Sequence, residues 1–199
     1  MNTVALVDSG GSNLGSLQCS LNRLGARVQW ARDGDGLRGA SHAILPGVGT
    51  AAVGMARLRE RGLDVALRAS GIPLLGICLG MQLLFESSDE GDVACLGLLP
   101  GRVRRLQGTP HARVPHMGWN TLQPLSTSRL LAGVEQDTQF YFVHSYAAPL
   151  NADCVAASRH GEQFAAVVER GRIAGAQFHP ERSAARGARV LGNFLGWQA

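Results

Sequence analysis

The 199-residue chain contains no lysine, and all 19 of its basic residues are arginine. Arginine is well suited to binding phosphate, so this bias raises the question of nucleic acid. The arginines, however, are scattered from Arg23 to Arg189, and only Arg102, Arg104 and Arg105 lie close together. The net charge is +4, and basic residues do not alternate with aromatic ones. We therefore expect no nucleic-acid partner.

The sequence also lacks the patterns of metal sites and membrane segments. The four cysteines form no C-x-x-C pair and have no metal-ligand spacing, so we expect no metal site. No apolar run approaches the roughly 20 residues that a membrane helix requires. Asp8 interrupts the first apolar run, unlike a signal peptide. We expect a cytoplasmic chain with reduced thiols and no membrane partner.

The residues that are present predict a folded α/β protein. Hydrophobic content of 45% and charged content of 17% are typical of globular proteins. The length is sufficient for a sizeable core, and we expect one domain over residues 1–199.

Strand and helix patterns alternate in the first half of the chain, which predicts a parallel sheet with right-handed crossovers. The predicted strands are Thr3–Val7, Val28–Ala31, Ala43–Leu45 and Ile72–Ile77. The predicted helices are Leu14–Leu24, Ala52–Ala69 with a break near Gly62, and Gly80–Glu86. From Gly101 onward, short strands separated by turns at Gly161 and Gly171 predict antiparallel or mixed pairing before a closing helix, Ala184–Trp197.

A cysteine lies at the corner between the fourth predicted strand and the helix that follows it. Cys78 has glycine two places away on either side, which is the pattern of a nucleophile elbow. Glycine allows the strand and helix backbones to close around a strained corner residue. The start of the helix would favour a thiolate, and the Leu79 amide could donate to an oxyanion. The motif alone is weak, because a buried cysteine is usually a small hydrophobic residue.

A second stretch supplies suitable partners for this cysteine. Pro180 favours an extended conformation at His179. Residues two apart in extended chain point to the same side, so Glu181 is placed to hold one imidazole nitrogen of His179 while the other faces a nucleophile. The pattern predicts a Cys-His-acid triad.

The other histidines carry weaker signals. His42, His111 and His160 occur in turn-like or polar contexts, and we expect them at the surface. His116 and His144 lie in richer stretches and could belong either to the core or to a pocket wall.

These motifs together resemble the class I glutamine amidotransferases, which combine a G-x-C-x-G-x-Q elbow with a downstream H-P-E. The runs 115–120 (PHMGWN) and 141–146 (YFVHSY) further resemble the glutaminase subunits of histidine biosynthesis. The resemblance implies a single-domain α/β amidotransferase fold. That fold has a central, mostly parallel sheet flanked by helices, with additional antiparallel or mixed strands in the C-terminal half. It also implies L-glutamine as substrate and no cofactor.

The resemblance implies a role for each matching residue. Cys78 would be the nucleophile, His179 the acid and base, and Glu181 the residue that orients His179. The backbone amides of Val48 and Leu79 would form the oxyanion hole. The positions that match substrate-binding residues are Gly49, Gln82, Glu90, Ser145 and Tyr146. The positions that match a partner interface are Asn13, Trp119, Tyr141 and Arg182.

The implied partner is a separate cyclase subunit with a (β/α)₈ barrel, which forms a heterodimer with this chain and takes its ammonia through an internal passage. The two glycines around Val48 suggest that this flexible segment makes glutamine hydrolysis conditional on the partner and its ligand.

Three features depart from the family pattern: Ser12 replaces a usual glycine, Thr50-Ala51 replaces an alanine-aromatic pair, and Arg182 replaces a usual lysine. The triad positions are intact. The alternatives are a glutaminase that serves another synthase, a catalytically silent module that binds and regulates a partner, and a general cysteine hydrolase.

Overall fold

The structure, a computed structural model, describes residues 2–8 and 14–198. Within these residues the helices are α1 (Leu14–Arg23), α2 (Ala51–Glu60), α3 (Leu63–Ala69), α4 (Leu79–Gln82) and α5 (Ala184–Leu195), with short 3-10 helices at Gly34–Leu37 and Pro180–Arg182. The first seven strands are β1 (Thr3–Val7), β2 (Arg27–Ala31), β3 (His42–Gly47), β4 (Leu74–Cys78), β5 (Ser87–Ser88), β6 (Val93–Ala94) and β7 (Arg102–Arg105). The remaining strands are β8 (His116–Thr121), β9 (Gln123–Pro124), β10 (Gln139–His144), β11 (Tyr146–Ala147), β12 (Cys154–His160), β13 (Glu162–Arg170) and β14 (Ile173–Ala176).

An eight-stranded sheet forms the centre of the fold, in the order β2-β1-β3-β4-β14-β13-β12-β9. Its first five strands are parallel, and the last three extend the sheet through antiparallel pairs. The expected α/β fold with a largely parallel sheet and antiparallel strands from the C-terminal half is therefore confirmed. Because β4 and β14 are neighbours, the segments that follow both strands emerge at the same edge of the sheet.

Helices cover both faces of the sheet, and alternate side chains of its strands enter two separate cores. In β1, Val4 and Leu6 pack on the face that is covered by α1 and α5, whereas Ala5 and Val7 pack on the face covered by α2 and α3. A parallel strand that is buried on both faces reads as a continuous apolar run. This explains why β1 and β4 could be recognised without alternating polarity.

Two smaller sheets lie beside the central one. Strands β8 and β10 form an antiparallel ribbon in which Trp119 pairs with Tyr141 and His116 pairs with His144. A four-stranded sheet has the order β11-β7-β5-β6. The short strands β5, β6, β9 and β11 have two residues each and were not predicted, because two residues give no periodic signal.

The helix that follows Cys78 is shorter than predicted. The pattern predicted helix over Gly80–Glu86, but α4 ends at Gln82. The carbonyls of Leu83, Leu84 and Phe85 instead accept hydrogen bonds from the backbone of residues 96–99, at 2.8–2.9 Å. This tertiary pairing replaces the continuation of the helix, and a short sequence window cannot reveal it.

The other helix predictions agree with the structure at the level of elements. The break near Gly62 is confirmed, because this glycine has φ +64° between α2 and α3. Gly25 has φ +79° just after α1, and Gly161 and Gly171 lie in turns. In the described residues, no helix is long and apolar enough to span a membrane.

Candidate active site

Cys78 occupies a strained corner between β4 and α4. Its backbone angles are φ 54° and ψ −114°, which non-glycine residues rarely adopt. Two glycines make this corner possible, as predicted. A Cβ on Gly76 would lie 2.6 Å from Met81 Cα, and one on Gly80 would lie 1.7 Å from the Leu45 carbonyl oxygen. The elbow therefore needs glycine for close packing of backbones.

His179 and Glu181 lie at the end of the segment that follows β14, at the same edge as Cys78. The two side chains interact directly, since His179 Nδ1 is 2.8 Å from Glu181 Oε1. Nδ1 carries the hydrogen and donates it, because a carboxylate only accepts. The other nitrogen of the ring is left for the Cys78 side chain, which lines the same cavity as His179 and raises its pKa. The structure thus brings the three predicted triad residues together.

The surroundings of His179 favour its charged form. Burial lowers the pKa of His179, but hydrogen bonds and charges from Cys78 and Glu181 outweigh this effect and raise it to about 10. The predicted help from a helix dipole is smaller than expected, because α4 has only four residues. The positive charge beside the sulfur therefore comes mainly from His179.

The loop after β3 faces the elbow. Gly47 pairs with Cys78 across the two parallel strands, and a Cβ on Gly47 would lie 2.9 Å from Leu79 Cβ. Gly47 is thus required for close packing, whereas the prediction had attributed both glycines of this loop to flexibility. Gly49 has φ +96° and open space around it, so conformational freedom is concentrated there. Val48, between them, is 40% exposed.

A cavity of about 340 Å³ opens above Cys78 and brings together all the residues predicted for substrate. Besides His179 of the predicted triad and Val48 and Leu79, which are predicted to form the oxyanion hole, its wall includes Gly49, Gln82, Glu90, Ser145 and Tyr146. Burial raises the pKa of Glu90, although the Ala51 amide opposes this by donating to Glu90 Oε2 at 2.8 Å. Glu90 thus also holds the start of α2, where Thr50 accepts from the Val53 amide.

His116 and His144 form a buried pair, of which His116 belongs to the core and His144 to the cavity wall. His116 packs on Phe142 with ring centroids 4.9 Å apart, and His144 lines the cavity. His116 Nδ1 is 3.0 Å from His144 Nε2, and His144 Nδ1 is 2.9 Å from the Tyr146 carbonyl oxygen. Burial lowers the pKa of His116 to about 4 and that of His144 to about 3. The pair therefore connects the core to the cavity wall.

The prediction that His42 lies at the surface was wrong. It is buried, and its Nε2 lies 2.9 Å from the Trp197 carbonyl oxygen. This partner is 155 residues away in the chain, so no local pattern could have shown it. His111 is exposed as expected, and His160 is half-buried and stacks on His116.

Three of the residues predicted at a partner interface, Trp119, Tyr141 and Arg182, lie together, and one of them lines the cavity. Trp119 is 51% exposed and meets the half-buried Tyr141 edge-on, with ring centroids 5.9 Å apart. The Arg182 guanidinium lies 5.3 Å from the Tyr141 ring centroid, and Arg182 also lines the cavity. Asn13 and Ser12 lie outside the described residues.

Sequence reasoning missed three residues of this region. Met117 is 64% exposed on the same face of β8 as Trp119, and its strand alternation could have indicated this. The Val143 carbonyl oxygen lies 3.7 Å from Cys78 Sγ. Gln177 Nε2 also lies 3.7 Å from this sulfur. The last two contacts arise from tertiary structure and had no sequence signal.

Comparisons with known proteins identify the family of the chain. The family model for class-I glutamine amidotransferase matches residues 5–196. Imidazole glycerol phosphate synthase subunit HisH of Xanthomonas euvesicatoria and that of Xylella fastidiosa are each 60% identical over 195 residues, covering 98% of both chains.

Two solved structures share the fold at low sequence identity. A glutamine amidotransferase structure has a TM-score of 0.73 at 23% identity and covers 96% of both chains. PurLQS from Thermotoga maritima has a TM-score of 0.71 at 19% identity and covers 98% of this chain and 97% of that one. From the family match and the full-length relatives, we conclude that the chain belongs to the class I glutamine amidotransferases, and within them to the HisH family.

Proposed function

We propose that the chain is a glutaminase that hydrolyses L-glutamine to glutamate and ammonia through a thioester on Cys78, and that a cyclase subunit uses the ammonia to make imidazole glycerol phosphate. The observation that carries this proposal is that Cys78 and His179 line one cavity while Glu181 Oε1 lies 2.8 Å from His179 Nδ1. Residues separated by about a hundred positions are brought together only by the fold.

The first half of the reaction follows from the charges at the elbow. The Cys78 sulfur, paired with the imidazolium of His179, attacks the side-chain amide carbon of glutamine. A C–S bond forms, and the carbonyl oxygen becomes an oxyanion that the amides of Leu79 and Val48 would stabilise. His179 then gives its proton to the departing amine, the C–N bond breaks, and ammonia leaves.

The second half reverses the role of the histidine. Neutral His179 takes a proton from a water molecule, whose oxygen attacks the thioester carbon. The C–S bond breaks, glutamate is released, and the sulfur returns to its paired state with His179. Glu181 holds Nδ1 throughout, so that the other nitrogen stays directed at the sulfur.

The cavity wall suits an amino-acid substrate. The Glu90 carboxylate can meet the ammonium group of glutamine while one of its oxygens holds the Ala51 amide. Ser145 and Tyr146 form the opposite wall, and Gln82 fixes the Tyr146 carbonyl at 2.7 Å. Gly49 contributes only backbone to the cavity wall.

The exposed face beside the cavity supports a protein partner. Met117 and Trp119 are large exposed apolar residues on one face of β8, and Trp119 meets Tyr141, over which the cavity-lining Arg182 lies. Val48, which is also exposed, lines the cavity itself. Exposed apolar surface can mark interaction sites. A (β/α)₈-barrel cyclase seated here would receive ammonia directly, before it is protonated in bulk water. Arg182 and Tyr141 would link this contact to the loop that carries His179 and Glu181.

Glutamate release by the chain mixed with a candidate cyclase tests the proposal. We expect hydrolysis by the wild-type complex, labelling of Cys78 by a reactive glutamine analogue, and loss of both in Cys78→Ala. Cys19→Ala is the matched control, since this cysteine is exposed and lies on α1. Hydrolysis that survives in Cys78→Ala would reject the proposed nucleophile, and absence of hydrolysis in every complex would favour a silent binding module.

The dependence on a partner is tested separately. Because Gly49 leaves the oxyanion loop free to rearrange, we expect the isolated chain to hydrolyse glutamine more slowly than the complex with its nucleotide substrate bound. Equal rates would reject this part of the proposal. Activation by a different ammonia-using synthase would favour the alternative within the superfamily, and faster turnover of esters or peptides would favour a general hydrolase.

A further inference from the structure

Gln177 is a buried polar residue that the proposed mechanism does not use. It follows β14, two residues before His179, and its side chain is fully buried, with 0% exposure. Its backbone amide donates to the Ala166 carbonyl oxygen at 2.9 Å, so the main chain is held in place. A buried amide side chain must find partners for both of its ends.

The partners of Gln177 lead directly to the nucleophile. Its Oε1 accepts a hydrogen bond from Gln82 Nε2 at 3.0 Å, and its Nε2 lies 3.7 Å from Cys78 Sγ. The sulfur thus has three polar neighbours: the Val143 carbonyl oxygen, His179 and the amide of Gln177.

The hydrogen-bond chain fixes which end of Gln177 faces the sulfur. The Tyr146 carbonyl can only accept, so Gln82 must present its NH₂ group there, at 2.7 Å. The same NH₂ group gives its second hydrogen to Gln177. If Gln177 were turned around, two NH₂ groups would face each other. The Gln177 NH₂ group is therefore directed at Cys78.

We propose that Gln177 is a catalytic residue that donates a hydrogen bond to the Cys78 thiolate from a fully buried position. A thiol can place its hydrogen on the Val143 carbonyl and gains little from a second donor. A thiolate gains a charge-assisted hydrogen bond from the Gln177 amide. In the thiolate the sulfur no longer donates to the Val143 carbonyl, and the Gln177 contact strengthens. The inference rests on the proposed function only in taking Cys78 as the nucleophile.

This series of hydrogen bonds also gives Gln82 and Tyr146 a role beyond substrate contact. The Tyr146 carbonyl is held by both Gln82 and His144, at 2.7 and 2.9 Å. Movement of this cavity wall would therefore move the Gln82 amide and, through it, the donor beneath the sulfur. Substrate contact at Tyr146 and thiolate stabilisation at Cys78 share one set of hydrogen bonds.

The test is the rate at which iodoacetamide alkylates Cys78, measured against pH in Gln177→Met and Gln177→Glu. Met removes the donor, and Glu keeps the acceptor for Gln82 but places an oxygen against the sulfur. We expect alkylation at pH 7 to slow about tenfold in Gln177→Met and more in Gln177→Glu, with the pH profile displaced upward. We expect kcat for glutamine in the cyclase complex to fall similarly, with KM changed less than about threefold.

Gln163→Met is the matched control, because Gln163 Nε2 donates to Gln123 Oε1 at 2.9 Å in an exposed amide pair at the start of β13. It should leave the alkylation profile unchanged. A folded Gln177→Met variant with a wild-type alkylation profile would overturn the inference, and a lower unfolding temperature alone would assign Gln177 a structural role. These alkylation results do not depend on glutamine turnover, so failure of the proposed function is seen separately, as absence of glutamate release by the wild-type complex.

A measurement on the wild-type chain covers the case in which both variants fail to fold. The side-chain amide proton resonances of Gln177 should shift with pH in parallel with the alkylation rate of Cys78. The corresponding resonances of Gln163 should not. Gln177 resonances that stay constant through the alkylation midpoint would overturn the inference.

Discussion

Two buried histidine environments in this chain differ in charge, one cationic and one neutral, although both exclude water. His179 lies against Glu181 and Cys78, and its pKa is raised to about 10. His144 lies against His116 and Phe164, and burial together with the neighbouring histidines lowers its pKa to about 3. Burial alone favours the neutral form in both places. The comparison shows that the acidic partners, rather than the degree of burial, assign the charge.

This difference divides the roles of the two regions. The charged histidine can hold a thiolate and give a proton, as a nucleophilic site requires. The neutral pair instead offers one acceptor and one donor per ring, and builds an ordered chain from the Asn120 amide to the Tyr146 carbonyl. One region supports chemistry, and the other fixes the wall beside it.

The largest effect should follow from removing the charged histidine. His179→Asn keeps a hydrogen-bonding side chain but cannot move protons, so we expect kcat for glutamine to fall by about 10²–10⁴-fold. The measurement is glutamate release by the cyclase complex. His111→Asn, at an exposed position, is the control and should retain wild-type turnover. A loss smaller than tenfold in His179→Asn would mean that another group transfers the proton.

A smaller but more specific effect should follow from removing Glu181, the acidic partner of His179. Glu181→Gln keeps the shape of the side chain and removes its negative charge. We expect the pKa of His179 to fall, because one of its two charged neighbours is gone, and kcat to fall by about a hundredfold. Proton NMR titration of the imidazole measures the first effect. An unchanged His179 titration would show that Glu181 does not set its charge.

Mutations on the exposed face should change the affinity for the partner and nothing else. Trp119→Ala removes a large exposed ring beside Tyr141, and we expect the dissociation constant of the cyclase complex to rise about thirtyfold, as at interface hot spots. Trp30→Ala is the matched control, because Trp30 is also partly exposed but lies on β2 at the far edge of the sheet. Equal effects of the two variants would reject the proposed interface.

The neutral histidines, His116 and His144, should make the stability of the fold depend on pH. Their folded pKa values lie below the unfolded value near 6.5, so the unfolded chain binds protons that the folded chain excludes. Their contribution is complete above about pH 6.5 and is lost as pH falls toward 4. We expect the free energy of unfolding to drop by about 1–2 kcal/mol between pH 7.5 and 5.

Urea unfolding at the two pH values measures this change. His116→Gln retains a donor for His144 and should make the drop smaller, whereas His111→Gln, at an exposed position, should leave it unaltered. A drop of the same size in His116→Gln would show that the acid sensitivity arises elsewhere.

The elements of the fold could be predicted where the signal was local. The apolar runs of β1 and β4, the break at Gly62 and the glycines around Cys78 each have a steric or hydrophobic cause within a few residues. The spacing of His179 and Glu181 is local as well. The meeting of this pair with Cys78 needed two strand-end motifs and the rule that parallel strands end at one edge.

The remaining features depend on contacts distant in sequence. The early end of α4 is caused by backbone pairing with residues 96–99. The burial of His42 depends on the Trp197 carbonyl, and the contact of Gln177 with the sulfur depends on Gln82. Each involves a polar group whose partner is set by tertiary packing, and polar residues give no periodic pattern that would locate such a partner.

The central claim is that Cys78 becomes covalently attached to glutamine, while His179 transfers protons and Glu181 orients His179. Rapid acid quenching of the working cyclase complex, followed by mass spectrometry of its peptides, tests this claim most directly. The account predicts a γ-glutamyl thioester on the peptide that contains Cys78, which appears before glutamate and is absent in Cys78→Ala. Glutamate formed at the wild-type rate without that adduct, or an adduct on another cysteine, would contradict it.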